Sequence, residues 1–198
     1  MKAPKSPYWV WSPYCGERGK AFVNCSVGMN AANGRRLLLG EKLPRAPRVL
    51  AMYTGKLLTD ALGAYTGWLI LAPNLVRVLQ AAGARLQLLP LGVARMLHFE
   101  PPMCAEEIEM KYVIANVLDT IPALDLERSK TTMYEGTDAI AHITRLKLRP
   151  IPADAPPIFH VAEYPVLVLV RDDLRQQLQA ASPHPGVFTA AEKYSHRV

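Results

Sequence analysis

Apolar residues along the chain fall in short blocks, each closed by proline, glycine or a small polar residue. "YWVW" (Tyr8–Trp11) lies between Pro7 and Pro13 and reads as a short strand. From Ser12 to Arg48 the chain is rich in Gly, Asn and Pro. It reads as loop with at most short strands, "AFVNCSV" being the candidate. "RVLAMY" predicts another strand and "KLLTDALGA" a short helix. The clearest pattern follows. "WLIL" is apolar and β-prone, and Pro73 stands where a first helical residue tolerates a missing N–H. Leu75, Val78, Leu79 and Ala82 then recur at helical spacing, Gly83 closes the helix, and "ARLQLLPL" alternates as a strand.

The same order returns near the end of the chain. "VLVLV" is a strand, and Asp172 and Asp173 open a helix whose positive end favours carboxylates. Leu174, Leu178 and Ala181 supply its apolar face. Pro183, Pro185 and Gly186 break it, and "VFTAAEKY" resumes extended structure. With Leu75 set on Leu174, Leu79 meets Leu178, and "QAA" at 80–82 meets "QAA" at 179–181. Two copies of a common unit make a candidate internal repeat and leave true duplication open.

Between these modules, "KYVIANVL" is apolar on both faces, the mark of a strand covered on both sides. Asn116 lies on its Tyr112/Ile114 face and, if buried, must be hydrogen-bonded. "TTMY" and "AIAHITRLKLRP" flank "EGTD", a hairpin-like turn. Simple alternation puts Ile140, Thr144, Leu146 and Leu148 on one face of the second strand. It puts Ile143, Arg145, Lys147 and Arg149 on the other, as a basic outer stripe. Strands outnumber the few short helices. The pattern predicts an α+β fold with a mixed or mainly antiparallel sheet and a possible repeated strand–helix–strand module.

Half of the 198 residues are apolar and a fifth are charged, which is ordinary globular composition. The net charge of +6 is uneven. Residues 1–50 hold nine Lys/Arg against two Asp/Glu, and the remainder hold fourteen against fifteen. The chain divides on this basis into a basic, Pro/Gly-rich segment at 1–48, packed on a domain at 49–198. No apolar stretch is long enough to span a bilayer, and no secretory signal follows the basic start, so the protein reads as cytoplasmic. Cys15, Cys25 and Cys104 show no metal-ligand spacing and read as reduced thiols, with a Cys15–Cys25 pairing left open.

No phosphate-binding loop or nucleophile elbow is present; "GERGK" at 16–20 lacks the required spacing. The five histidines are widely spaced, and His142, on the apolar side of its strand, reads as a packed residue. "HFEPPMCAEEIE" gathers His98, Glu100, Cys104, Glu106 and Glu107. A Cys–His pair with a carboxylate can make a thiol nucleophile. Pro101 and Pro102 make this an extended connection, however, and no helix start follows Cys104 to lower its pKa. Asp119, Asp125, Glu127 and Ser129 fall within eleven residues. Each has a local duty available: Asp119 or Thr120 capping a helical turn that opens at Pro122, Ser129 bonding backbone where the turn ends. No catalytic, cofactor or metal residue is assigned.

These stretches carry a resemblance. "YVIANVLDTIPALDLERSK", a hairpin, then "PPIFHVAEYPVLVLVRDDLRQQLQAA" and "GVF" resemble an immunity-protein domain family of polymorphic-toxin systems, long catalogued as a domain of unknown function and abundant in social soil bacteria. The matching positions are Tyr112, Asn116, Val117, Asp125, Ser129, Ile158, Phe159, Gly186, Val187 and Phe188. "KLLTDALGAYTGWLILAPNLVRVLQ" is similar to the family's middle segment, where a Ser commonly precedes each helix; Ala72 and Arg171 stand there here. The match covers roughly residues 55–190. It implies a non-catalytic protein that binds and neutralises a cognate toxin from self or kin, nuclease toxins among others, without cofactors. A basic chain suits a partner with an acidic or largely apolar face. The expected contacts are Arg145, Lys147 and Arg149, with Arg35 and Arg36 of the N-terminal arm. Two alternatives stay open. One is an inhibitor of a protease or other secreted enzyme. The other is a nucleic-acid-binding module in which Trp9, Trp11 and Tyr14 interleave with Lys2, Lys5, Arg18 and Lys20.

Overall fold

The computed structural model describes residues 7–13, 20–64, 66–98 and 104–195, with the backbone alone at 24–25, 97–98 and 104–110. The fold is α+β with mixed sheets. Strands β2 (Phe22–Val27), β3 (Val49–Thr54), β4 (Ala61–Ala64), β5 (Ile70–Leu71), β6 (Leu86–His98) and β7 (Cys104–Val117) close a barrel in the order β2-β3-β6-β7-β5-β4. A five-stranded sheet stands beside it in the order β13-β1-β12-β11-β8. It is built from β1 (Tyr8–Ser12), β8 (Thr120–Ile121), β11 (Ile158–Val161), β12 (Tyr164–Arg171) and β13 (Val187–Ala190). A two-stranded hairpin, β9 (Lys130–Met133) with β10 (Ile140–Arg145), completes the β structure. The helices are α1 (Ala31–Leu38), α2 (Pro73–Ala81) and α3 (Asp172–Ala181).

The candidate repeat has a structural counterpart. In the barrel, β4 and β5 form an antiparallel pair, α2 crosses over, and β6 returns parallel to β5 with β7 between them. In the sheet, β11 and β12 pair antiparallel, α3 crosses over, and β13 returns parallel to β12 with β1 between them. The orders β4-β5-β7-β6 and β11-β12-β1-β13 are therefore the same. Detail agrees with topology. Ala72 N–H donates to Asp60 O (2.8 Å), and Arg171 N–H, ninety-nine residues on, donates to Pro157 O (2.9 Å). Both residues are extended N-caps with no side-chain cap bond. The two helix starts are stabilised differently. Asn74 and Ser182 both bond the Asp60 carboxylate beside α2, and Asp172 and Asp173 fill the first turn of α3.

The strand filling the middle place differs in origin. In the barrel it is β7, which follows β6; in the sheet it is β1, from the other end of the chain. The segment 1–48 thus supplies the centre of one sheet with β1 and a barrel wall with β2, so a boundary at residue 49 separates no packing unit. Trp11 of β1 is buried, donates to Pro185 O (2.8 Å) and stacks on Phe188. Gly186 has φ +103° and turns directly over this ring, where a Cβ would lie 2.5 Å from Trp11 Nε1. Only glycine fits there.

Leu75, Leu79, Leu174 and Leu178 are all 0 % exposed. With Trp11, Ala115, Val117, Val168 and Val170 they form one apolar layer in which α2 and α3 pack together between barrel and sheet. The barrel core and the core behind the second sheet lie on the far sides. Gly83 ends α2 as its position in the sequence implies. It has φ +77°, and Ala84 N–H reaches back to Leu79 O (3.0 Å).

Three expectations are corrected. "KLLTDALGA" contributes β4, not a helix: Ala61 and Leu62 are fully buried between β5 and β2. Residues 31–38 form α1, with Asn30 as N-cap accepting from Asn33 N–H (2.8 Å). No helical turn opens at Pro122, because Thr120 and Ile121 pair parallel with β11.

Two outcomes follow. Leu178→Ala should lower the free energy of unfolding by about 2–5 kcal/mol, measured by urea titration. A loss under about 1 kcal/mol would mean the helix layer is not a tight contact. A circular permutant opened between Pro13 and Tyr14, with Val198 joined to Met1 by a short Gly/Ser linker, turns β13–β1 into a hairpin like β6–β7. It should keep the parent's far-UV circular dichroism and cooperative melting; an unfolded product would contradict the assigned pairing.

Candidate functional site

Asp125 and Ser129 of the stretch 119–129 bond backbone groups. Asp125 Oδ1 accepts from Arg128 N–H (3.1 Å), and Ser129 N–H closes onto Asp125 O (2.9 Å). Ser129 Oγ then donates to Lys147 O (3.1 Å) and accepts from Lys147 N–H (2.9 Å), clamping the turn to the chain leaving β10. Asp125 N–H also reaches Lys147 O (2.9 Å). The backbone around Ser129 is therefore pinned at the base of the β9–β10 hairpin.

That base collects cations. Lys130 sits directly opposite Arg145 in the ladder, and Arg145 Nη2 donates to Arg128 O (3.2 Å). Lys130 and Arg145 are exposed, and Arg128 is 72 % exposed with only a loose contact to Asp125 (3.7 Å). Among the described residues no acidic side chain pairs with Lys130 or Arg145. Like charges facing each other across a ladder destabilise it by a few tenths of a kcal/mol or more, about 0.2–1. The inner side of the hairpin offsets this, with Ile140, Ile143 and Leu146 buried against the second sheet's core.

The expected basic stripe is altered. Register shifts at Ile140/His142 and Ile143/Arg145 break the alternation, so Ile143 is fully buried instead of sharing a face with Arg145. Lys147 and Arg149 lie beyond the strand's end. Lys147 is half-buried, while Arg149 is exposed and stands 4.0 Å from Glu163. The sequence reading missed Arg128 and Lys130, which come from the preceding turn and strand. Arg35 and Arg36 sit elsewhere, in the last turn of α1. Arg36 pairs with Glu41 (2.9 Å) and donates to Lys42 O (3.2 Å); Arg35 is exposed.

Polar side chains gather at the end of the barrel. Gln87 bonds both backbone groups of Leu43 (2.7 and 2.8 Å), as a paired strand would, and Asn116 Nδ2 donates to Glu41 O (2.9 Å). These bonds hold the chain after α1 over the barrel end. Asp119, nearly buried, accepts from Arg85 (2.8 Å). His160 is 4 % exposed, with Nδ1 2.6 Å from Pro165 O. A carbonyl can only accept, so Nδ1 carries the hydrogen. Trp68, Asn116 and His160 line a cavity of about 10 Å³, room for no more than one water molecule. A wider open groove of about 560 Å³ runs past Val27, Arg48, Leu50 and Pro90, with Arg48 its one ionisable side chain.

His98 and Cys104 are opposed in the β6–β7 ladder, but their side chains, those of Glu106 and Glu107, and Cys15, Glu100 and His196 lie outside the described residues. Among those described, no three His, Cys, Asp or Glu side chains gather as metal ligands. Among the described residues no helix is long and apolar enough to cross a membrane. Of the aromatics considered for base stacking, Trp11 is buried and Trp9 is covered by the Arg175 guanidinium, 4.3 Å from its ring centre. Tyr14, Lys2, Lys5 and Arg18 fall outside the described residues. No protein-family model matches the chain, and no curated protein matches its sequence.

Burial pushes the His160 imidazole below its ordinary value, against the opposing pull of the Pro165 carbonyl. The unfolded chain then binds this proton more readily than the folded one once pH drops below about 6.5. Its contribution to stability should be complete above that pH and fall away as pH drops through the lowered folded value. Thermal melts from pH 7.5 to 5 should show a decline that is shallower in His160→Gln. An equal slope in both proteins would place the titrating group elsewhere.

Proposed function

We propose that this protein is a non-catalytic immunity protein or inhibitor, acting in the cytoplasm, that neutralises a cognate toxin or secreted effector by docking on an acidic part of its surface. The observation that carries the reading is the cation cluster at the hairpin base: Lys130 opposite Arg145, with Arg128 beside them. Such an arrangement opposes the local fold and is favourable only when an acidic surface meets it.

Support also comes from how the residues shared with the immunity family are used. Tyr112 donates to Thr59 O, Asn116 ties down the α1 connection, Asp125 and Ser129 form the clamp, and Ile158 and Phe159 are fully buried. Their roles are architectural, which fits a family whose function lies in surface recognition. Burial and the nearby Asp60 push the Tyr112 phenol well above its ordinary range, so it stays protonated and donating. Arg149, exposed beyond the end of β10, adds a further cation, while Arg35 lies apart on α1.

The test is co-expression with the product of the adjacent gene. A stable one-to-one complex, together with protection of cells from that product, is expected. The double variant Lys130→Glu/Arg145→Glu should weaken the complex about tenfold or more, mainly by slowing association, and flatten its salt dependence. No complex in several buffers, or protection that needs no binding, would overturn the reading.

A further inference from the structure

We infer that Met133 and Tyr134, at the tip of the β9–β10 hairpin, and Leu126 at its base are the apolar anchors of the docking surface. They fit a protein partner with an apolar pocket bordered by acidic side chains. The inference rests on the proposed inhibitor reading and specifies the partner's chemistry.

Exposure points to this segment. Of nine large apolar side chains exposed among the described residues, three lie within positions 126–134: Leu126 and Met133 at 43 % and Tyr134 at 59 %. Scattered apolar residues need no explanation, but these share one short segment with Arg128 and Lys130. Tyr, Met and Arg are the residue types enriched in protein interfaces, and Tyr and Arg among those whose truncation costs most.

Rigidity points the same way. Tyr134 N–H donates to Ala139 O (2.9 Å), and Thr137 bonds Tyr134 O through both its N–H and its hydroxyl (3.1 Å each). Ala139 N–H in turn reaches Thr137 Oγ1 (3.2 Å). The tip is tied by these bonds, the base by the Ser129 clamp, and the inner face by Ile140, Ile143 and Leu146. The hairpin holds the backbone of Met133 and Tyr134 in place, Met133 lying opposite the buried Ile140 and yet 43 % exposed itself. It presents them with little conformational freedom left to lose on binding.

Charge selects a protein over a nucleic acid. Glu127, Glu135 and Asp138 are exposed on the same turn and tip, between and beyond the cations. A phosphate backbone would be repelled at the tip, whereas a protein surface can offer carboxylates to the base and an apolar recess to the tip.

The experiment uses the full chain and the adjacent gene's product in calorimetric titration, with parallel thermal melts. Met133→Ala and Tyr134→Ala should each raise the dissociation constant at least about tenfold while leaving melting unchanged, because both side chains are exposed. Tyr134→Phe should keep most of the affinity. If the complex forms but both alanine variants bind within about twofold of the parent, the anchor assignment is wrong and the inhibitor reading survives. If no complex forms, the reading fails and the assignment with it. Tight parent binding to mixed-sequence DNA that Tyr134→Ala abolishes, without any protein complex, would replace the protein partner with a nucleic acid.

Discussion

The structure depends on the contact between α2 and α3. Leu75 and Leu79 of one helix and Leu174 and Leu178 of the other have no solvent exposure, and in the layer they form barrel and sheet share a core. Burying each such leucine is worth about 1.5–3 kcal/mol. Without that layer, each module would have a bare inner face. The matching strand orders around the two helices are what bring equivalent leucines face to face.

Polar groups complete what the apolar layer begins. Gln87, Asn116 Nδ2 and Asp119 Oδ1 bond backbone or ionic partners at the barrel end, while Asn116 Oδ1 and Asp119 Oδ2 stay buried without a partner among the described residues, and Ser129 clamps the hairpin base to the Lys147 backbone. An unpaired polar group at such depth would cost about 1–3 kcal/mol. The fold therefore uses its buried polar chemistry for joining segments. The hairpin, held stiffly by its own bonds, carries the facing pair Lys130 and Arg145 at its base and exposed Met133 and Tyr134 toward its tip.

Local signals in the sequence were sufficient for α2 and α3. Pro73, Gly83 and the Leu75/Leu79 and Leu174/Leu178 spacings act over a few residues and survive in the fold. "KYVIANVL" likewise shows its two-sided burial directly. "KLLTDALGA" misled because a short apolar run satisfies helix and buried-strand patterns alike, and only its neighbours β2 and β5 decide. α1 was hidden because Asn33 and Gly34, both poor helix formers, interrupt it and only Leu37 is buried. The basic face was half visible. Arg145 lies in the predicted strand, but Lys130 and Arg128 join it through cross-strand pairing, and bulges undo the parity that tied it to Lys147 and Arg149.

The place of β1 carries a consequence for biosynthesis. Residues 8–12 leave the ribosome long before their hydrogen-bonding partners, Val168–Arg171 and Val187–Ala190, emerge. The barrel's ladders lie within residues 22–117 and can assemble on the nascent chain. The second sheet must wait until residues 158–190 have emerged, with β1 idle and its tryptophans uncovered until then. Chaperone dependence during synthesis would then arise from the order in which the strands appear, independently of how stable the finished protein is.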